Sequence, residues 1–192
     1  PLQTSFGMNM LAINSGRPMM MNLKEIIAAF IEFREDVIRR RTIFELNKAR
    51  DRAHTLVGLA IAVENLDPVI ELIRSAPSPQ DAKDALLSKA WPAGDVEPLV
   101  ILIDEPDRKV ENGFYHLSEA QAKAILDLKL QRLTGLERDK IHQELMSLGD
   151  EIKECLSILS SREKLYGIMR DELVEIKDEY ATPRRTKIED IE

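Results

Sequence analysis

The side chains able to do chemistry in this chain are few and scattered. The three histidines, His54, His116 and His142, lack metal-ligand spacing and have no cysteine pair beside them. Asp104, Glu105 and Asp107 gather carboxylates that could hold a divalent cation, but no ordered ligand pattern accompanies them, and a solvated loop is the favoured reading. Tyr115 precedes a helix beside His116, while Tyr166 and Tyr180 fall on an apolar helical seam; none makes a convincing nucleophile. There is no glycine-rich phosphate loop and no nucleophile elbow. The single cysteine, Cys155, excludes an internal disulfide framework, sits on that same seam, and reads as a small buried hydrophobe suited to a reducing cytoplasm. These residues predict no catalytic site, no cofactor and no metal held by the chain itself.

Long helices dominate instead. Across 134–180 the residues Ile141, Leu145, Leu148, Ile152, Cys155, Leu159, Tyr166, Met169, Leu173, Ile176 and Tyr180 recur at alternating gaps of four and three, the heptad rhythm, broken only at Arg162. A helix of that length reaches about 70 Å and needs a partner along it. Residues 22–66 offer one: Leu23, Ile26, Phe30, Phe33, Val37 and Phe44 form a seam that slips in phase and continues through Leu46, Ala49, Ala53, Leu56, Ala60 and Val63. The slip near Phe44 predicts a local break or hinge. The expected fold is mainly α: a long antiparallel intramolecular coiled coil of 22–66 and 134–180, with a small helical tip at 67–133. Two unrelated helices in a globular bundle are the alternative.

The ends and the tip are punctuated by turns and caps. Alternation before Asn14-Ser15-Gly16 reads as a strand turning into Pro18–Met21, a short β-hairpin that ends an upstream β-containing, tower-like domain at 1–21. Asn22 with Glu25 makes a capping box opening the first helix. Asp67-Pro68 caps a helix to Arg74, and Ser78-Pro79 with Asp81 caps another through Leu87. Trp91 anchors the tip core, 92–113 reads as loop, and Ser118 with Gln121 caps a helix bearing Ile125, Leu126, Leu128, Leu130 and Leu133. Its apolar arc, about 200° with Ala122, exceeds what one core contact needs. The surplus meets either another chain or a second side of the tip itself. Thr134 and Glu137 cap the returning helix, and 181–192 is a tail.

Net charge is −7, with 27 basic and 34 acidic residues, which argues against a free-standing nucleic-acid binder. Basic residues nevertheless cluster at Arg34, Arg39, Arg40, Arg41, Lys48, Arg50 and Arg52, where pairing with the acidic returning helix competes with nucleic-acid contact. No apolar run is long enough for a membrane span and no leader pattern opens the chain, which starts at Pro1 like a piece of something larger.

Three segments carry a family resemblance: Arg40-Arg41-Thr42-Ile43-Phe44-Glu45-Leu46 through His54, Leu117-Ser118-Glu119-Ala120-Gln121-Ala122 through Leu128, and Leu133-Thr134-Gly135-Leu136-Glu137. They resemble the breakage-reunion subunits of bacterial type IIA topoisomerases, most closely those of the DNA gyrases, over nearly the whole chain. The resemblance implies the coiled coil and globular knob of the exit gate, or C-gate, where two copies meet through their tips. It implies a dimer interface at Ile125, Leu126, Leu128 and Leu130, and candidate DNA contacts at Arg39, Arg40 and Arg41. It also implies a parent enzyme that supercoils double-stranded DNA by ATP-dependent strand passage in the cytoplasm, as an A2B2 complex with the gyrase B subunit. That partner supplies the Mg2+ and ATP sites, and the active-site tyrosine lies upstream, so the fragment alone is expected to be inactive. The same region of the decatenating topoisomerase IV, or an unrelated coiled-coil adaptor, are the competing readings.

Overall fold

The computed structural model describes residues 4, 7–103, 109–128 and 135–187, the side chains of 135–137 excepted. The described chain is mainly helical, with one long helix, an N-terminal hairpin and a region of shorter helices. It divides into two compact units: Pro1–Thr42 with Ile158–Glu192, and Ile43–Ser157.

In the first unit, β1 (Leu11–Asn14) and β2 (Arg17–Met20) pair antiparallel, Leu11 opposite Met20 and Asn14 opposite Arg17. Ser15 and Gly16 turn the chain at φ 51° and 77°, the two positive values that a tight two-residue hairpin needs. Strand therefore begins later than the alternation suggested, because Gly7–Met10 are not extended into the ladder; Ser5 and Phe6 lie outside the described residues. The capping box then opens α1 (Leu23–Glu64): Asn22 N–H donates to Glu25 Oε2 at 2.8 Å and Glu25 N–H to Asn22 Oδ1 at 2.9 Å.

α1 passes Phe44 without interruption, so the expected break there is absent. The break falls in the returning segment: α6 (Gly135–Ser160) stops, Ser161 adopts φ −125°, and α7 (Arg162–Tyr180) restarts with Ser161 Oγ accepting from Lys164 N–H at 3.3 Å. Serine competes with helical backbone bonding and is favoured as a cap, worth about 1 kcal/mol, which explains why the helix ends at this pair. The Thr134 and Glu137 cap expected for α6 lies outside the described side chains.

The expected α1 seam is also corrected. Leu23, Phe30, Phe33 and Phe44 are exposed at 61, 47, 59 and 67%. The core of the first unit is instead Ile38 with Leu165 and Met169, flanked by Ile31, Ile158, Tyr166, Ile168 and Leu173. On α7, Ile176 and Tyr180 are exposed too. In the second unit the expected positions hold: Leu46, Ala49, Ala53, Leu56, Ala60 and Val63 are buried, as are Ile141, Leu145, Ile152 and Cys155 of α6. Burial, then the Glu45 carboxylate, push the Cys155 thiol above its ordinary pKa, keeping it an uncharged hydrophobe.

Shorter elements complete the second unit. α2 (Leu66–Ser75) starts before Asp67-Pro68, so Asp67 is a first-turn residue rather than the cap. α3 (Pro79–Ser88) is capped by Ser78, whose Oγ accepts from Asp81 N–H at 3.2 Å. β3 (Ala90–Pro92) pairs antiparallel with β4 (Phe114–His116), Trp91 opposite Tyr115. Trp91 is buried and its Nε1–H donates to the Leu86 carbonyl at 3.1 Å. The stretch expected to be loop contains a 3-10 turn, Gly94–Val96, and α4 (Glu97–Ile103), which buries Leu99, Val100 and Ile103. Asp104, Glu105 and Asp107 lie outside the described residues. α5 (Glu119–Leu126) follows the Ser118–Gln121 capping box.

Candidate functional site

The site of interest lies at the end of α5, and its position follows from a buried polar cluster at the start of that helix. Ser118 Oγ accepts from Gln121 N–H at 3.0 Å, and Ser118 N–H donates back to Gln121 Oε1 at 2.9 Å. Gln121, fully buried, then reaches α1: its Nε2–H2 donates to the His54 carbonyl at 2.7 Å and to Tyr115 OH at 3.2 Å. His54 Nε2 sits 2.7 Å from Ser118 Oγ. Gly58 makes room, since a Cβ there would stand 2.6 Å from Gln121 Cβ and Cγ. A buried amide satisfied on both sides rigidly fixes the helix that carries it.

Fixed in that way, the far end of α5 faces α2 across an apolar groove of about 320 Å³. Leu66, Val69, Ile70 and Ile73 of α2 line one wall, and Ile125, Leu126 and Leu128 the other, with Arg74 at the edge. Ile125 is buried within its own chain, whereas Leu126 and Leu128 are half-buried and available from solvent. Leu130 and Leu133 lie outside the described residues. Of the four residues expected at an interface, the structure thus brings three to one groove and sinks Ile125 into its floor. The α2 wall was not anticipated, although Leu66, Val69, Ile70 and Ile73 recur at helical spacing in the sequence. Such a groove offers apolar burial and shape, with no reacting group in it.

The arginines form a second candidate. Arg39 lies 3.7 Å from Glu35 and Arg40 2.9 Å from Asp36, both one turn back on α1, while Arg41 meets Glu172 of α7 at 2.5 Å. All three side chains stay largely exposed, yet each already has a carboxylate partner, as electrostatic pairing of the helices predicted. Arg34 also bonds Glu172, at 2.6 Å, and Arg52 bonds Glu144 of α6 at 2.7 Å. Glu35 accepts from Arg162 at 3.0 Å and from Tyr166 OH at 2.9 Å; those hydrogen bonds, Arg162 first, hold its carboxyl below the usual range.

A third, mixed-charge cavity of about 330 Å³ joins Glu64 and Asp95 to Arg138, Asp139 and His142 of α6 over Ala60 and Ile141. Burial, then Asp95, raise the Glu64 pKa against the opposing pull of His142 and Arg138. Among the described residues no group of histidine, cysteine and carboxylate side chains is arranged to hold a metal ion, and no helix is long and apolar enough to cross a membrane.

Comparison with known proteins accords with this helical architecture. The family model for the A chain of DNA gyrase and topoisomerase IV matches residues 1–174. The gyrase A protein of Rickettsia bellii is 53% identical over 188 residues, covering 98% of this chain and 21% of the relative. That of Granulibacter bethesdensis is 53% identical over 190 residues, 98% and 20% respectively. That of Salmonella typhimurium is 50% identical over 196 residues, 97% and 22%. The chain thus spans about a fifth of the length of the curated relatives it matches. With nine-tenths of its length matched by that model, the chain belongs to the DNA gyrase/topoisomerase IV GyrA-type family.

Proposed function

We propose that this chain is the exit-gate dimerisation region of a gyrase A protein. Two copies meet through the tip formed by 67–133, and the paired segments 22–66 and 134–180 form the coiled-coil arm that carries it. The observation that carries the reading is the groove between α2 and the end of α5, where Leu126 and Leu128 leave apolar surface open beside Ile70 and Ile73. Apolar contact with a polar edge at Arg74 suits an interface that must hold and yet reopen. In the parent enzyme the gate keeps two protomers joined while DNA is cut upstream, then parts to release the transported duplex. ATP and Mg2+ act through the gyrase B partner of an A2B2 assembly in the cytoplasm, and this region contributes no reacting group. Arg39, Arg40 and Arg41 line the arm as guides for double-stranded DNA, if phosphates can displace their present carboxylate partners.

Sedimentation velocity tests the proposal. The unsubstituted chain should run as a dimer and Leu128→Asp as a monomer with unchanged helicity. An unsubstituted chain that stays monomeric at every concentration contradicts it.

A further inference from the structure

Two seams compete along the first half of α1. One is apolar: Leu23, Ile27, Phe30, Phe33 and Val37 fall within an arc of about 120°. The other is mixed: Ile31, Arg34, Glu35, Ile38 and Thr42 span about 100°, centred roughly a quarter-turn away. Burial of apolar area alone favours the first. α7 nevertheless occupies the second, where Ile38, Leu165 and Met169 are buried, and leaves Leu23, Ile27, Phe30 and Phe33 exposed.

The charges explain the choice. Glu172 of α7 accepts from Arg34 at 2.6 Å and Arg41 at 2.5 Å, and Glu35 of α1 accepts from Arg162 at 3.0 Å and Tyr166 at 2.9 Å. The two carboxylate side chains are only 25 and 16% exposed. A quarter-turn of α1 would carry Arg34, Glu35 and Arg41 away from α7 and strand those charges half-buried without partners, the costly way to break such a pair. The arrangement also tolerates a buried Arg34 Nε that makes no hydrogen bond among the described residues, a defect that packing for stability alone would avoid.

We infer that the clusters centred on Glu35 and Glu172 are a specificity device, selecting which face of α1 the last helix occupies against the more apolar alternative. Polar groups at a helix seam fix geometry in this way at some expense of stability. The selected face leaves the phenylalanine stripe outside the intramolecular contact.

The test reads both faces by thiol labelling under native conditions. In a Cys155→Ala background, Phe33→Cys reports the apolar face and Thr42→Cys, nearly isosteric and only 3% exposed as threonine, reports the mixed one. With the clusters intact, Phe33→Cys labels fast and Thr42→Cys slowly. Adding Glu35→Gln and Glu172→Gln should shift the ratio of the two rates towards Thr42→Cys by about fivefold or more, the change expected when a preference of this size is lost. Should the combined variant fail to fold, Glu172→Gln alone reads the same ratio. An unchanged ratio overturns the inference. Equal fast labelling with loss of helical circular dichroism also overturns it, because the clusters would then hold the helices together without choosing a face.

Discussion

Replacing Gly58 by alanine tests the buried cluster that positions α5. In the middle of an ordinary helix this change stabilises by about 1 kcal/mol, because glycine is the poorer helix former. Here the new Cβ would stand 2.6 Å from both Cβ and Cγ of Gln121 and 3.1 Å from its Cδ. Those atoms belong to a side chain fully buried and tied at 2.7 Å to the His54 carbonyl, at 3.2 Å to Tyr115 OH and at 2.9 Å to Ser118 N–H, so it cannot swing aside cheaply. Overpacking costs about 1–3 kcal/mol, and losing two of these bonds about 1 kcal/mol each. After the helix gain is subtracted, net destabilisation is roughly 2–4 kcal/mol, or about 4–16 °C in Tm for a chain of this size. Thermal unfolding followed by far-ultraviolet circular dichroism and by the fluorescence of Trp91 measures it. A Gly58→Ala protein as stable as the parent, or more so, would refute the reasoning, since it would mean that Gln121 yields and is not the fixed anchor of α5.

Other glycines give graded outcomes. Gly167 of α7 has nothing within 4 Å of a built Cβ, so Gly167→Ala should raise stability by about 1 kcal/mol. Gly149→Ala meets Leu99 Cδ2 at 2.6 Å, the end of a flexible side chain, and should fall between these two variants in the same melt. Glu64 has its folded pKa above the ordinary 4.5, so protonated Glu64 favours the fold and that contribution is lost as pH rises through the raised value. Glu64→Gln should therefore raise Tm at pH 7 and make no difference below pH about 4, as paired melts at the two pH values will reveal. Converting Arg39, Arg40 and Arg41 together to glutamine should lower the slope of log affinity for duplex DNA against log salt by about 2–3 if all three contact phosphate; an unchanged slope would mean that they serve only their carboxylate partners.

The features legible in the sequence were those fixed by near neighbours. The capping boxes at Asn22–Glu25 and Ser118–Gln121 appear as read, because each is settled within four residues. The α1 seam from Leu46 to Val63 was legible because there the apolar face is also the paired face. Before Thr42 the apolar pattern pointed instead to Phe30 and Phe33, wrongly, because the deciding partner of Arg34 is Glu172, 138 positions away. The break at Ser161 was marked only by Arg162 falling out of rhythm, and α4 was hidden by its brevity between Pro92 and the acidic run. Ile125, Leu126 and Leu128 stood out as surplus apolar surface on one helix. Their α2 counterpart did not, since only the tertiary fold brings Ile70 and Ile73 opposite them.

The most direct test of the exit-gate reading is the mass of the chain in solution across a concentration series, by sedimentation equilibrium, for the parent and three single variants. The expected parent mass is twice 21.9 kDa, with Ile70→Asp and Leu128→Asp monomeric because they charge opposite walls of one groove. Phe33→Asp, on the exposed stripe of α1, should remain a dimer. A parent that is monomeric throughout, or a dimer abolished by Phe33→Asp and untouched by Ile70→Asp and Leu128→Asp, would contradict it.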